Sequence, residues 1–198
     1  MEFTNGFGRG ISGYVELHVP PGWNVDPATI RFDLGEGEKL VQPLVITVPY
    51  NETIGEKEFV AEFHVDAKTA YRFAAVARTR FDMPTGTTRG LVFREDNTLV
   101  IEQEVINTTA RPMNYHAYVQ IPGMPMVNQF VPHVKPGETV VKRYVLPYSR
   151  ELQRKTALIG IRDETPDRGF ANVLLPLGSH LDNTVLRSGS AGRTPAPK

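Results

Sequence analysis

The chain has 198 residues, a length for one or two domains and too short for an eight-fold β/α barrel of about 250. Its 22 basic and 22 acidic residues cancel, which removes the long-range field of a chain built to grip nucleic acid or an anionic membrane. The absence of cysteine excludes disulfides, thiolate nucleophiles and Cys-based metal sites, and says nothing about redox compartment.

The start, MEFTNGFGRG, lacks the basic and apolar regions of a signal peptide, and no window approaches 18 uninterrupted apolar residues. From there the pattern has period two. Val15, Leu17 and Val19 alternate with Tyr14, Glu16 and His18, which predicts a strand with one buried face. Strands follow over 45–48, 58–65, 70–81, 98–106, 115–121, 140–146, 157–161 and 170–175, separated by Pro, Gly, Asn and Asp clusters. The stretch AYRFAAVA at 70–77 has local helix propensity, but it has no cap pair and its neighbours are strands, so it reads as a strand. About ten strands with turns every 8 to 12 residues predict β-sandwiches. Residues 188–198 hold no large apolar side chain and read as a disordered tail.

The chain also repeats itself. FTN at residues 3–5 matches VIN at 105–107, VELHVPPG at 15–22 matches AYVQIPG at 117–123, Gly37-Glu38 matches Gly137-Glu138, and VITVPY at 45–50 matches RYVLPY at 143–148. The second copy is preceded by LVFRED and the strand TLVIEQEVI. Subtracting the offset of 102 puts the counterparts of residues 91–104 at −11 to 2. The first copy is therefore expected to lack its first strand or strands, as a piece of a longer protein or a late start within one. The sheet edge left open would pair or aggregate unless covered.

The turn signatures carry a resemblance. Asn5, Gly22-Trp23, Gly37-Glu38 and Val48-Pro49, echoed by Asn107, Pro122-Gly123, Gly137-Glu138 and Leu146-Pro147 with Met124 in place of the tryptophan, resemble the NPCBM-associated (α-galactosidase-associated) immunoglobulin-like β-sandwich family. The resemblance implies two tandem immunoglobulin-like sandwiches, over 1–85, N-terminally incomplete, and over 86–180; the composition of the end leaves 181–198 as a disordered tail. It also implies a non-catalytic accessory, spacer or docking module of a larger carbohydrate-related enzyme, outside the cytoplasm, with other domains of the parent chain as partners. No catalytic residue and no cofactor come with it.

Candidate chemistry is sparse. Gly8, Gly10 and Gly13 form a GxGxxG, but a dinucleotide site needs that motif after a strand and opening a helix, and here a strand follows. His18, His64, His116, His133 and His180 show no metal-ligand spacing, and the first three fall on the polar face of their strands. Asp163, Glu164 and Asp167 are the best acidic cluster for a hard cation, without the glycine of a calcium loop and with Pro166 suggesting a hairpin turn. Glu102 and Glu104 sit on the outward face of one strand, a poor arrangement for glycoside hydrolysis. Trp23, Tyr14 and Tyr118 are the candidate sugar-stacking aromatics of a carbohydrate-binding module. The place of Trp23 after Pro-Pro-Gly favours a plug at the end of a sandwich core. Tyr50 and Tyr148 recur after the same proline, which suggests a structural part hydrogen-bonded at a strand exit. A third reading is an adhesion or assembly protein whose open sheet edge accepts a partner's strand.

Overall fold

The computed structural model describes residues 1–165 and 169–178. The chain divides into two units, Met1–Phe81 and Asp82–Lys198. The expected boundary at 85/86 moves four residues earlier because 82–85 are anchored in the second unit. Met83 is buried, the Thr85 hydroxyl donates to Asp163, and the Thr85 carbonyl accepts from the Tyr115 hydroxyl at 2.5 Å. Both units are all-β, and the expected tail over 181–198 lies outside the described residues.

The N-terminal unit contains β1 (Glu2–Thr4), β2 (Ile11–His18), β3 (Asn24–Asp26), β4 (Thr29–Leu34), β5 (Lys39–Val41), β6 (Val45–Thr47), β7 (Gly55–Asp66) and β8 (Ala70–Phe81). Its main sheet is antiparallel in the order β4-β2-β7-β8, with two small pairs, β1-β5 and β3-β6. The alternation read in β2 and β7 sends Val15, Phe63 and Val65 into a core with Ile11, Phe32 and Leu34. Phe3 meets Phe32 and Phe63 edge-on, each at 5.2 Å between ring centres.

The C-terminal unit contains β9 (Gly86–Glu95), β10 (Thr98–Asn107), β11 (Met113–Gln120), β12 (Val127–Val134), β13 (Thr139–Pro147), a single-turn helix α1 (Arg150–Gln153), β14 (Thr156–Asp163) and β15 (Phe170–Pro176). A three-stranded sheet, β13-β10-β9, and a four-stranded sheet, β12-β11-β14-β15, form a seven-strand immunoglobulin-like sandwich. Its core holds Val92, Leu99 and Ile101 from one sheet and Val119, Ala157 and Ile159 from the other. Fully buried Gln103 ties the sheets together: its amide donates to the Gly160 carbonyl at 2.8 Å and its oxygen accepts from the Tyr144 hydroxyl at 3.0 Å.

The repeat is a repeat of register. Phe3 pairs with Leu40 as Val105 pairs with Val140, and Leu17 pairs with Ala61 as Val119 pairs with Ile159. The residues that mark the repeat in sequence touch one another in both units. The Asn5 amide donates to the carbonyls of Arg9 and Gly35, each at 2.8 Å, and its backbone N–H to Glu38 at 2.8 Å. The Asn107 amide donates to the carbonyls of Arg111 at 2.7 Å and Val134 at 2.8 Å, and its N–H to Glu138 at 3.1 Å. Each Glu then folds back to accept a backbone N–H three residues earlier, Gly35 or Lys135, at 2.7 Å. Gly37 and Gly137, at φ 70° and 71°, supply the left-handed turn that makes this possible.

The copies differ on one side. The N-terminal unit has, among the described residues, no counterpart of β9 or of 98–102 in β10, and its counterpart of β13 is split into β5 and β6 around Pro43.

Candidate functional site

Where β9 and β10 cover the C-terminal sheet, the N-terminal sheet is open. A cavity of about 320 Å³ lies against its inner face, lined by Leu17 and Val19 from the β2 side, Phe59 and Ala61 of β7, and Ala75 and Ala77 of β8, with Val25 and Ile46 from the β3-β6 pair. Cross-strand register fixes the equivalents: Leu17, Ala61 and Ala75 stand where Val119, Ile159 and Val173 stand, and Phe59 and Ala77 where Ala157 and Leu175 stand. In the C-terminal unit these positions belong to the closed core. In the N-terminal unit β8 is exposed over nearly its whole length, and Phe73 is 49% exposed although stacked on Phe63 at 4.8 Å. Met1 and His18 also line the cavity, although the imidazole of His18 lies on the outer face with Glu16 and Glu62. The Met1 ammonium donates to the Gln42 carbonyl at 2.8 Å, and His18 has Nε2 3.7 Å from Glu62.

The outer face of the same sheet is polar, as its alternation predicts. Tyr14 stacks on His64 at 4.4 Å between ring centres, His64 lies 3.7 Å from Glu16, and Glu16, His18 and Glu62 bring their donor atoms within 4.8 Å of one another. Two carboxylates and an imidazole are the donor types through which a divalent cation could be held, here on half-exposed strand faces that also pair with one another. Spacing along the chain could not reveal this trio, because Glu62 arrives from a different strand at a position set by register.

The three candidate aromatics do not form one platform. Trp23 is partly buried, edge-on to Phe59 at 5.7 Å and to Phe81 at 5.4 Å, and its indole N–H donates to Glu52. It packs as an end plug, the reading its turn favoured. Tyr14 lies against His64. Tyr118, in the other unit, spreads over Gly160 and donates to the buried Asn172, and its hydroxyl is pushed up by burial against the lowering influence of Arg162 and Asn172. A Cβ on Gly160 would fall 2.4 Å from the Tyr118 ring, so this glycine makes room for the tyrosine.

Asp163 and Glu164 do not converge as a cation site. Asp163 is buried and accepts from the Thr85 hydroxyl and from Thr165, whereas Glu164 turns outward to Asn114 at 3.0 Å and His116 at 3.2 Å. Successive side chains of an extended chain point to opposite sides, which separates the pair; Asp167 and His180 lie outside the described residues. The recurrent tyrosines also part company. Tyr148 accepts from Gln153 at 2.6 Å beneath the Arg94 guanidinium, while Tyr50 is 75% exposed.

Glu52 is the one carboxylate in this neighbourhood with a displaced titration. Burial alone would raise its pKa, but hydrogen bonds from Lys57, Trp23 and the Thr53 N–H, with the Lys57 charge, outweigh it and hold the group below its usual 4.5. A lowered folded-state pKa contributes stability above the unfolded value that is lost as pH falls through the folded value. Acid titration of thermal unfolding is expected to show a loss below about pH 4.5 that is smaller in Glu52→Gln. Equal pH slopes for both proteins would refute the assignment.

Fold and geometry together define an all-β chain of two immunoglobulin-like units, and among the described residues no helix is long and apolar enough to cross a membrane. No protein-family model matches the chain, and no curated protein matches it. Similar solved structures include a DUF3823 family protein from Bacteroides ovatus, at 10% identity over 89% of this chain and 92% of that one with a TM-score of 0.32. Another is the CupB2 chaperone of Pseudomonas aeruginosa, at 11% identity over 89% and 90% with a TM-score of 0.22.

Proposed function

We propose that the chain is a non-catalytic docking or spacer segment, acting through protein contacts beside other domains of a larger, extracytoplasmic, carbohydrate-related enzyme. The carrying observation is the uncovered apolar face of the N-terminal sheet: a surface of aliphatic and aromatic side chains on paired strands, which suits another polypeptide better than a polar small molecule. The dispersal of the candidate aromatics supports docking over sugar binding, since Trp23 is engaged by Glu52 and Tyr118 by Asn172. The carbohydrate connection and the location rest on the turn signatures at Gly22-Trp23 and Gly37-Glu38 alone. The purified chain is expected to release no product from a panel of aryl glycosides and to migrate without retardation through gels containing polysaccharides. Turnover would overturn the reading, and retardation abolished by Tyr14→Ala or Trp23→Ala would replace it with carbohydrate binding.

A further inference from the structure

We infer that Glu16, His18 and Glu62 form a zinc-binding site on the outer face of the N-terminal sheet, in which the ion clips β2 to β7. The inference is independent of the docking reading, because the site lies on the other face of the sheet, between its two central strands.

Register brings the donors together. Glu16 of β2 lies directly opposite Glu62 of β7, and His18, two residues beyond Glu16, shares its face. The three side chains place one donor atom each within 4.8 Å of the others, with His18 Nε2 3.7 Å from Glu62. Donors held at about 2.0–2.2 Å around one tetrahedral zinc ion are about 3.3–3.6 Å apart. The spacing between His18 and Glu62 is therefore close to what the ion needs, and the widest gap closes by at most about 1.5 Å of side-chain rotation. Side chains that are 44–53% exposed have the freedom to make that movement.

The ladder also creates a demand for positive charge at this point. Two carboxylates directly opposite each other on one face repel. Among the described residues their ion pairs are to imidazoles and not to lysine or arginine: Glu62 has His18, and Glu16 has His64, each at 3.7 Å. The row that holds the two carboxylates is completed by Thr29 of β4 and Ala74 of β8, both uncharged and exposed, so an ion reaches it from solvent. Arg31 and Arg72 belong to the next row, opposite Tyr14 and His64. His64, stacked on Tyr14, stands beside Glu16 as an outer neighbour that can orient a ligating carboxylate. An imidazole beside two carboxylates disfavours magnesium and calcium, which take oxygen ligands. It suits zinc, whose sites with three protein ligands keep a fourth position for water.

The test is calorimetric titration of zinc chloride into the full chain after removal of metal, with the melting transition reported by Trp23 followed in parallel. One equivalent is expected to bind. At about ten-fold excess over its dissociation constant the ion should raise the transition by about 5 °C or more; EDTA should reverse the shift and magnesium should not produce it. His18→Gln and Glu62→Gln alter exposed side chains, so both proteins should fold normally. Each should weaken binding by more than about ten-fold, the least that loss of an outer neighbour costs. His116→Gln breaks the comparable pair with Glu164 in the other unit and should leave binding unchanged. In nitrogen-15-labelled protein the ring signals of His18 should move on adding zinc. The absence of a zinc response would overturn the assignment. So would binding that survives both His18→Gln and Glu62→Gln, or that falls as far in His116→Gln.

Discussion

Asn107→Ala is expected to destabilise the C-terminal unit by about 3 kcal/mol. The side chain is fully buried, donates to two backbone carbonyls, and accepts from the Thr109 N–H at 2.8 Å and the Thr109 hydroxyl at 2.9 Å. Alanine removes all four bonds, and each buried group left without a partner costs about 1–3 kcal/mol, moderated where the Arg111 and Thr109 side of the loop lets water in. The effect is larger than a lost cap or turn because this one residue joins the end of β10, the following loop and the end of β12. Calorimetry reads the result cleanly. The sole tryptophan, Trp23, lies in the other unit, so a calorimetric transition should move down while the fluorescence transition stays put. An unshifted calorimetric trace would show that water replaces the side chain at little cost.

Gly13→Ala is the complementary substitution and should cost the N-terminal unit about 3 kcal/mol or more, from overpacking and backbone strain together. A Cβ at Gly13 would lie 2.0 Å from the His64 carbonyl oxygen and 3.1 Å from Phe32, and the residue has φ 154°. The obstacle is backbone of the paired strand β7, so relief requires moving one strand off the other rather than turning a side chain. Urea unfolding followed by Trp23 fluorescence should show the midpoint fall with little change in slope. A midpoint within experimental scatter of the parent would mean that β2 and β7 separate easily here. The equivalent position in the C-terminal unit is Tyr115, which a normal ladder accommodates opposite Asp163.

That contrast shows what the sequence could convey. The third glycine of the GxGxxG is needed for close strand approach, a demand made by a residue 51 positions away, and the motif alone does not distinguish this from a phosphate loop. Alternation in β2, β7 and β10 was readable because each buries one face, and the repeat was readable because Asn and Gly-Glu are held by local geometry in both copies. β4 carries the same signal in TIRFDL, with every second residue buried, although it lies outside the strands expected from the sequence. β12 was harder. It has mostly exposed residues, includes Pro132, and shifts register between Met113 and Tyr115, as edge strands do. The short helix α1 is set by Ser149, whose hydroxyl accepts from the Leu152 N–H, a cap visible only beside the strands it joins. Of the candidate site, subtraction of the repeat offset marks the side on which the described residues of the N-terminal unit hold no counterpart of β9. The groove's lining and the Glu16, His18 and Glu62 trio depend on cross-strand register, which the chain order does not contain.

The split of one strand into β5 and β6 bears on how the chain carries tension. β1 is held to β5 by three paired positions, whereas β10 is held to β13 by nine. Load borne in shear by a ladder is shared among its rungs, so the β1-β5 ladder is expected to part at a lower force than the β10-β13 ladder.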